Sequence, residues 1–132
     1  MTQTEFLLDT LKYYCEDTSR RCEKDGRCRY HPSSLSHSNS EGCAIGRYLP
    51  EDLALKFDSY EYTDIESVFD ELPENLQVLG KEYLDSIQNF HDSSTNWNTI
   101  DEEGLTEIGK GRLSQLIKEY ELDKNLFVNY LN

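Results

Sequence analysis

A chain of 132 residues with 36% hydrophobic and 11% aromatic content has the size of one folded domain, and nine tyrosines with five phenylalanines exclude a disordered polyelectrolyte despite a formal charge of −13. No window approaches the ~18 apolar residues of a membrane span. MTQTEFLLDT lacks the basic start and apolar stretch of a secretory signal, so a cytoplasmic protein with reduced cysteines is expected. The charge is uneven. Residues 1–49 carry seven acids and seven bases, whereas residues 50–132 carry 19 acids and six bases, so the net charge lies wholly in the second part. Such a field repels phosphate backbones and membranes and favours cationic partners.

In chain order, TEFLLDTLKYYC reads as a first helix, with Thr2 and Glu5 at capping-box spacing and Leu8, Leu11 and Cys15 on one stripe. Glu16 to Ser40 is loop-like and rich in serine, long enough that something must hold it. Within it, Arg27–Tyr30 has the composition of a short strand. Cys43–Leu49 is too short for periodicity to classify. Pro50 suits the first turn of a helix through Phe57, with Glu51 and Asp52 favourable near its N-terminus. Thr63 and Glu66 form another capping-box pair ahead of IESVFDEL, which Pro73 breaks. ENLQVLGKEYLDSIQNFH then keeps a helical stripe from Leu76 to His91, and DSSTNWNTIDEEG is a loop. The last long helix, LTEIGKGRLSQLIKEYEL, places Leu105, Ile108, Leu113, Leu116, Ile117 and Tyr120 inward, and NLFVNYL is a short helix or an end strand. The expected fold is mainly α: a bundle of four to five helices in a single domain over 1–132, with a long Cys/His/Ser-containing loop and, as an option, a β-hairpin between 27–30 and 43–48.

Cysteines and histidines crowd the loop: Cys22, Cys28, His31, His37 and Cys43. Zinc favours close ligand pairs. Cys28 with His31 is such a pair, and Cys22 and Cys43 complete a candidate set that would order the loop. There is neither CxxC nor HxxxH, and cysteines simply packed in the interior explain the same residues. No cofactor is therefore assigned, with zinc as the alternative. Cys43, one turn before Arg47, is the candidate nucleophile of a second alternative, a small cysteine enzyme, although no histidine is singled out as its base. His91-Asp92 closes the long helix, where a histidine packs on the apolar face and suits the dipole. Trp97 anchors the loop that follows. Gly104, Gly109 and Gly111 match no phosphate-binding pattern. Arg20, Arg21, Lys24, Arg27 and Arg29, beside Tyr30, form a local basic cluster able to touch RNA within a nucleoprotein complex, while the acidic remainder opposes duplex DNA.

The stretches GRCRY (26–30), GCAIGRYL (42–49), YLDSIQNFHDSSTNW (83–97) and LTEIGKGRLSQL resemble a group of small uncharacterised proteins of phages and bacterial mobile elements. In that group a Gly-Arg-Cys-x-Tyr stretch, a Cys-Ala-Ile-Gly-Arg stretch and a Gln-x-x-His-Asp stretch follow in this order. The segment 31–41 is longer here than the usual turn between the two cysteine motifs. The resemblance implies one structural cluster made of Cys28, Cys43, Arg47, His91 and Asp92, and a bacterial host cytoplasm. It carries no activity.

By size, charge and implied origin the chain is similar to inhibitors of host defence nucleases, including anti-CRISPR proteins. The expected function is that of a non-enzymatic binding protein whose carboxylates occupy the basic channel of a CRISPR-associated nuclease or other ribonucleoprotein; a zinc-stabilised adaptor is the first alternative. Residues 51–107, with 16 acids against Lys56 and Lys81, supply the surface. The expected partner-binding residues are Asp58, Tyr60, Glu61, Tyr62, Asp64, Glu66, Asp70, Glu71, Trp97, Asp101, Glu102 and Glu103, with the aromatic side chains as apolar anchors.

Overall fold

The cap at Thr2 sets the first helix. In a computed structural model of the protein, the residues described are 1–21, 23–24, 27–31, 42–60 and 64–132, with 23–24 and 27–28 described by backbone alone. The Thr2 hydroxyl accepts from the Glu5 N–H at 3.1 Å, and the Glu5 carboxylate accepts from the Thr2 N–H at 3.4 Å, so α1 (Gln3–Glu16) starts at the expected capping box. Its buried stripe is Phe6, Leu7, Thr10, Leu11 and Tyr14, whereas Leu8 and Cys15 are only half-buried. The expected 8–11–15 stripe is thus rotated. Thr10 disguises the real one: a polar residue takes an inward position because its hydroxyl donates to the Phe6 carbonyl at 2.8 Å.

The chain divides into two compact units, a terminal one of Met1–Thr18 and Ser93–Asn132 and a central one of Ser19–Asp92. In the terminal unit, a 3₁₀ turn at Ser94–Asn96 leads to Trp97, which bridges Leu105 in antiparallel fashion. α6 (Glu107–Glu119) follows the Thr106 cap, whose hydroxyl accepts from the Gly109 N–H at 3.0 Å. Gly109 faces the 94–97 turn so closely that a Cβ there would stand 2.1 Å from the Asn96 carbonyl oxygen. That contact fixes the helix rotation. Leu113, Leu116 and Ile117 are buried, but Ile108 is turned outward and 56% exposed, against expectation. The C-terminal stretch is helical throughout, a 3₁₀ turn at Lys124–Phe127 running into α7 (Val128–Leu131).

The central unit contains β1 (Glu23–Lys24) and β2 (Arg27–Cys28), antiparallel with Glu23 opposite Cys28. The hairpin expected between 27–30 and 43–48 is not the one formed: Gly46–Tyr48 is a 3₁₀ turn, and the Cys43 N–H to the Arg29 carbonyl (3.0 Å) is the backbone bond that joins the two stretches. α2 (Glu51–Asp58) starts after Pro50 as expected. α3 (Ile65–Val68) is capped by Asp64, one residue later than the expected Thr63, with Asp64 Oδ1 accepting from the Ser67 N–H at 2.8 Å. The helix expected from Glu74 to His91 is two, α4 (Glu74–Gln77) and α5 (Lys81–Asp92). Gly80 separates them, at a φ of +96° that glycine adopts without strain. The described residues thus form a mainly α protein, and none of their helices is long and apolar enough to cross a membrane.

Candidate functional site

The GCAIGR corner is built on the backbone of Tyr30. A Cβ on Gly46 would lie 2.2 Å from the Tyr30 carbonyl oxygen, and one on Gly42, at φ +118°, would lie 2.4 Å from the same atom. Both glycines are therefore required for close approach of two chain segments. The Tyr30 side of the contact is fixed by Asp58 at the end of α2, whose two carboxylate oxygens accept from the Tyr30 N–H at 2.7 Å and the His31 N–H at 2.9 Å. The Tyr30 ring stands edge-on to Phe57, centroids 5.4 Å apart.

From the other side, α5 reaches the corner through Gln88. Its Oε1 accepts from the buried Ile45 N–H at 3.2 Å, and its Nε2 donates to Asp92 Oδ1 at 2.9 Å. The same Asp92 oxygen pairs with His91 Nδ1 at 2.8 Å. Arg21 closes the helix end: its Nε and Nη2 donate to the His91 and Asp92 carbonyls, both at 2.9 Å, a cation placed on the orphan carbonyls of a helix C-terminus. Of the expected cluster of Cys28, Cys43, Arg47, His91 and Asp92, His91 and Asp92 pair with each other, and Gln88 ties Asp92 to the Ile45 backbone, two residues past Cys43. Gln88 was legible as the residue one turn before Asp92. Arg21 carried no local signal. The Cys28 side chain lies outside the described residues, and Arg47 stacks its guanidinium 5.7 Å from the Tyr48 ring.

This arrangement holds parts together. Cys43 is fully buried, and its Sγ accepts from the Gly46 N–H at 3.4 Å, so no substrate reaches it without opening the corner. In the terminal unit, burial pushes the Cys15 thiol up to about 12, which keeps it protonated and unreactive near neutrality. Among the candidate zinc ligands, the Cys22 and Cys28 side chains lie outside the described residues, as does His37. His31 sits 3.4 Å from Glu51, and no group of three His, Cys, Asp or Glu placed to hold a metal occurs among the described residues.

The acidic residues expected at the partner surface separate into different roles. Asp58 is half-buried and serves as a backbone acceptor. Asp64 caps α3. Glu71 accepts from Lys56 Nζ at 2.8 Å and from the Tyr60 hydroxyl at 3.3 Å; the Lys56 bond holds the carboxyl below its usual range and the ammonium above its own. Tyr60 is half-buried and tilted on Phe57. Glu61 and Tyr62 lie outside the described residues. Glu66 and Asp70 are exposed. Trp97 is not a surface anchor: it is 2% exposed, with the Tyr14 ring edge-on at 6.0 Å, because an indole of that size buries more apolar area inside the terminal unit than any loop surface offers. Asp101, Glu102 and Glu103 are exposed in that same unit.

Sequence reasoning missed Asp85 on α5. Burial raises its carboxyl above the ordinary range, and the charges of Asp64, Glu66 and Asp92 raise it further, against a weak bond from Asn89 Nδ2 at 3.4 Å. The charges of Asp64 at the start of α3, Glu66 within it and Asp92 at the end of α5 thus all act on Asp85. α3 and α5 pack together, which brings residues 20 or so apart in sequence near one another.

No family model matches this chain, and neither a curated protein nor a solved structure does.

Proposed function

We propose that this chain is a non-enzymatic binding protein that inhibits or modulates a basic nucleic-acid-handling partner in the bacterial cytoplasm, its carboxylates taking positions that phosphates would occupy. The observation that carries the reading is the packing of α3 against α5, which sets the charges of Asp64 and Glu66 around Asp85; burial pushes the Asp85 carboxyl up, and those charges and Asp92 push it further. Like charges held together weaken the free fold, and a Lys- and Arg-lined channel relieves them on binding. The resemblance of the GRCxY, CAIGR and QxxHD stretches to phage and mobile-element proteins makes a CRISPR-associated nuclease the first partner to try.

Linkage gives the reading a sign. A cationic partner favours ionised Asp85, so affinity rises as pH rises through the titration of that group. The main test is salt. Binding to purified RNA-guided nucleases, freed of nucleic acid, is measured from about 50 to about 500 mM salt, a range over which the screening length shrinks several-fold to a few ångströms. The expected result is at least a tenfold loss of affinity, roughly the effect of steering and pairing by several exposed charges. Affinity unchanged across that range contradicts the proposal.

A further inference from the structure

The residue range 98–105 of the terminal unit holds the most exposed large apolar side chain of the described residues, Ile100, at 96%. Three exposed carboxylates, Asp101, Glu102 and Glu103, follow it directly. The loop is clamped on both sides of its tip. The Asn98 N–H donates to the Gly104 carbonyl at 3.0 Å, and the Asn98 amide donates to the carbonyls of Glu103 and Leu105 at 2.9 and 3.2 Å. Cys15 near the end of α1 and Thr18 just after it add three more bonds. The Thr18 N–H reaches the Glu102 carbonyl at 2.8 Å, the Thr18 hydroxyl reaches the Asn98 carbonyl at 2.6 Å, and the Gly104 N–H donates to the Cys15 carbonyl at 2.8 Å.

These bonds hold Glu102 at a φ of +54°, a left-handed conformation that side chains other than glycine and asparagine seldom adopt. The side chains of residues 100–103, by contrast, make no hydrogen bond or ion pair among the described residues, so the scaffold fixes the loop and leaves its tip unused. An ordered loop presenting one apolar side chain beside fixed charges has the anatomy of a contact centre with a polar rim, and little entropy remains to be lost when it docks.

We propose that the 98–105 loop is a docking knob, in which Ile100 enters an apolar pocket on a basic protein and the carboxylates of Asp101, Glu102 and Glu103 meet the Lys and Arg side chains around that pocket. Charge complementarity selects this occupant over an acidic protein or an anionic membrane, both of which three adjacent carboxylates repel. The inference rests on the reading above that the partner is a basic protein, and it replaces Trp97 with Ile100 as the apolar anchor.

The test uses the full chain and the same purified RNA-guided nucleases, stripped of nucleic acid, with Ile100→Ser set against Ile108→Ser, an exposed apolar residue outside the loop. Both variants should melt at the wild-type temperature. Ile100→Ser should weaken binding by about tenfold or more, the usual loss at an interface hot spot, while Ile108→Ser stays within about twofold and the salt dependence of both is kept. A salt-sensitive complex that Ile100→Ser leaves within twofold of wild type overturns the knob and spares the functional reading. Failure of every nuclease to bind the wild type overturns both. Sedimentation showing that Ile100→Ser merely converts a self-associated chain to monomer also overturns the knob, assigning the loop to contacts between copies.

Discussion

The terminal and central units are held by different chemistry. In the terminal unit the loop-fixing groups are mostly neutral: the Asn98 amide, the Thr18 and Thr106 hydroxyls, and the Asn96 amide and Thr95 hydroxyl that accept from Arg112 at 2.9 and 3.1 Å. In the central unit the equivalent acceptors are carboxylates: Asp58 under Tyr30 and His31, Asp64 at the start of α3, Asp92 beneath Gln88 and His91, and Glu71 with Lys56. A strongly acidic composition is therefore not the same as a strongly acidic surface. Part of the central unit's negative charge is structural, while carboxylates such as Glu66 and Asp70 are exposed. The terminal unit sets three adjacent exposed carboxylates, Asp101, Glu102 and Glu103, on one clamped loop.

Substitutions sharpen this contrast, and the largest effect falls on the corner of the central unit. Gly46→Ala sets a methyl 2.2 Å from backbone that cannot yield, and a loss of about 3 kcal/mol or more is expected in denaturant unfolding, enough to prevent folding of a marginal protein. Gln88→Ala leaves the buried Ile45 N–H without its acceptor and should cost about 1–3 kcal/mol in the same measurement. In the terminal unit, Thr106→Ala removes a helix cap, with an expected loss of about 1 kcal/mol. Gly111→Ala, in the middle of α6 with open space around its Cβ position, should raise stability by about 0.5–1 kcal/mol, the opposite sign from Gly46→Ala.

The smallest effect is a pH-dependent one at Asp85. Its folded pKa is raised, so the folded chain binds the Asp85 proton more tightly than the unfolded chain does. Stability from this group is present at acid pH and is lost as pH rises from the ordinary carboxylate range, about 4, through the raised value. Asp85→Asn should therefore melt higher than wild type at pH 7 and at the same temperature near pH 3. A variant that melts lower at pH 7 would show that the carboxylate crowding on α3 and α5 does not oppose folding.

The helices were largely legible because local chemistry makes them. Thr2 with Glu5, Pro50 before α2 and the C-terminal placement of His91 all act through neighbouring residues, and all appear as read. The misreadings come from bonds and contacts that hydrophobic periodicity does not register, one of them local and two between distant segments. Thr10 occupies the buried stripe through its own backbone bond, Ile108 turns out because Gly109 must face Asn96, and Trp97 goes inside because Tyr14 waits for it. The same holds at the candidate site. Nothing in the local sequence of GCAIGR names Tyr30 as the segment its glycines approach, and the charge count of 51–107 could not separate the structural Asp58 from Asp85 with its raised carboxyl.

The central claim is competition with a polyanion for a cationic groove. It is tested most directly by the anisotropy of a fluorescent guide RNA bound to a nuclease that retains this chain, as the chain is added at low and high salt. The account predicts that the RNA is released at low salt, and that release needs at least tenfold more chain as salt approaches about 500 mM. Anisotropy that stays constant while the chain binds alongside the RNA would contradict it.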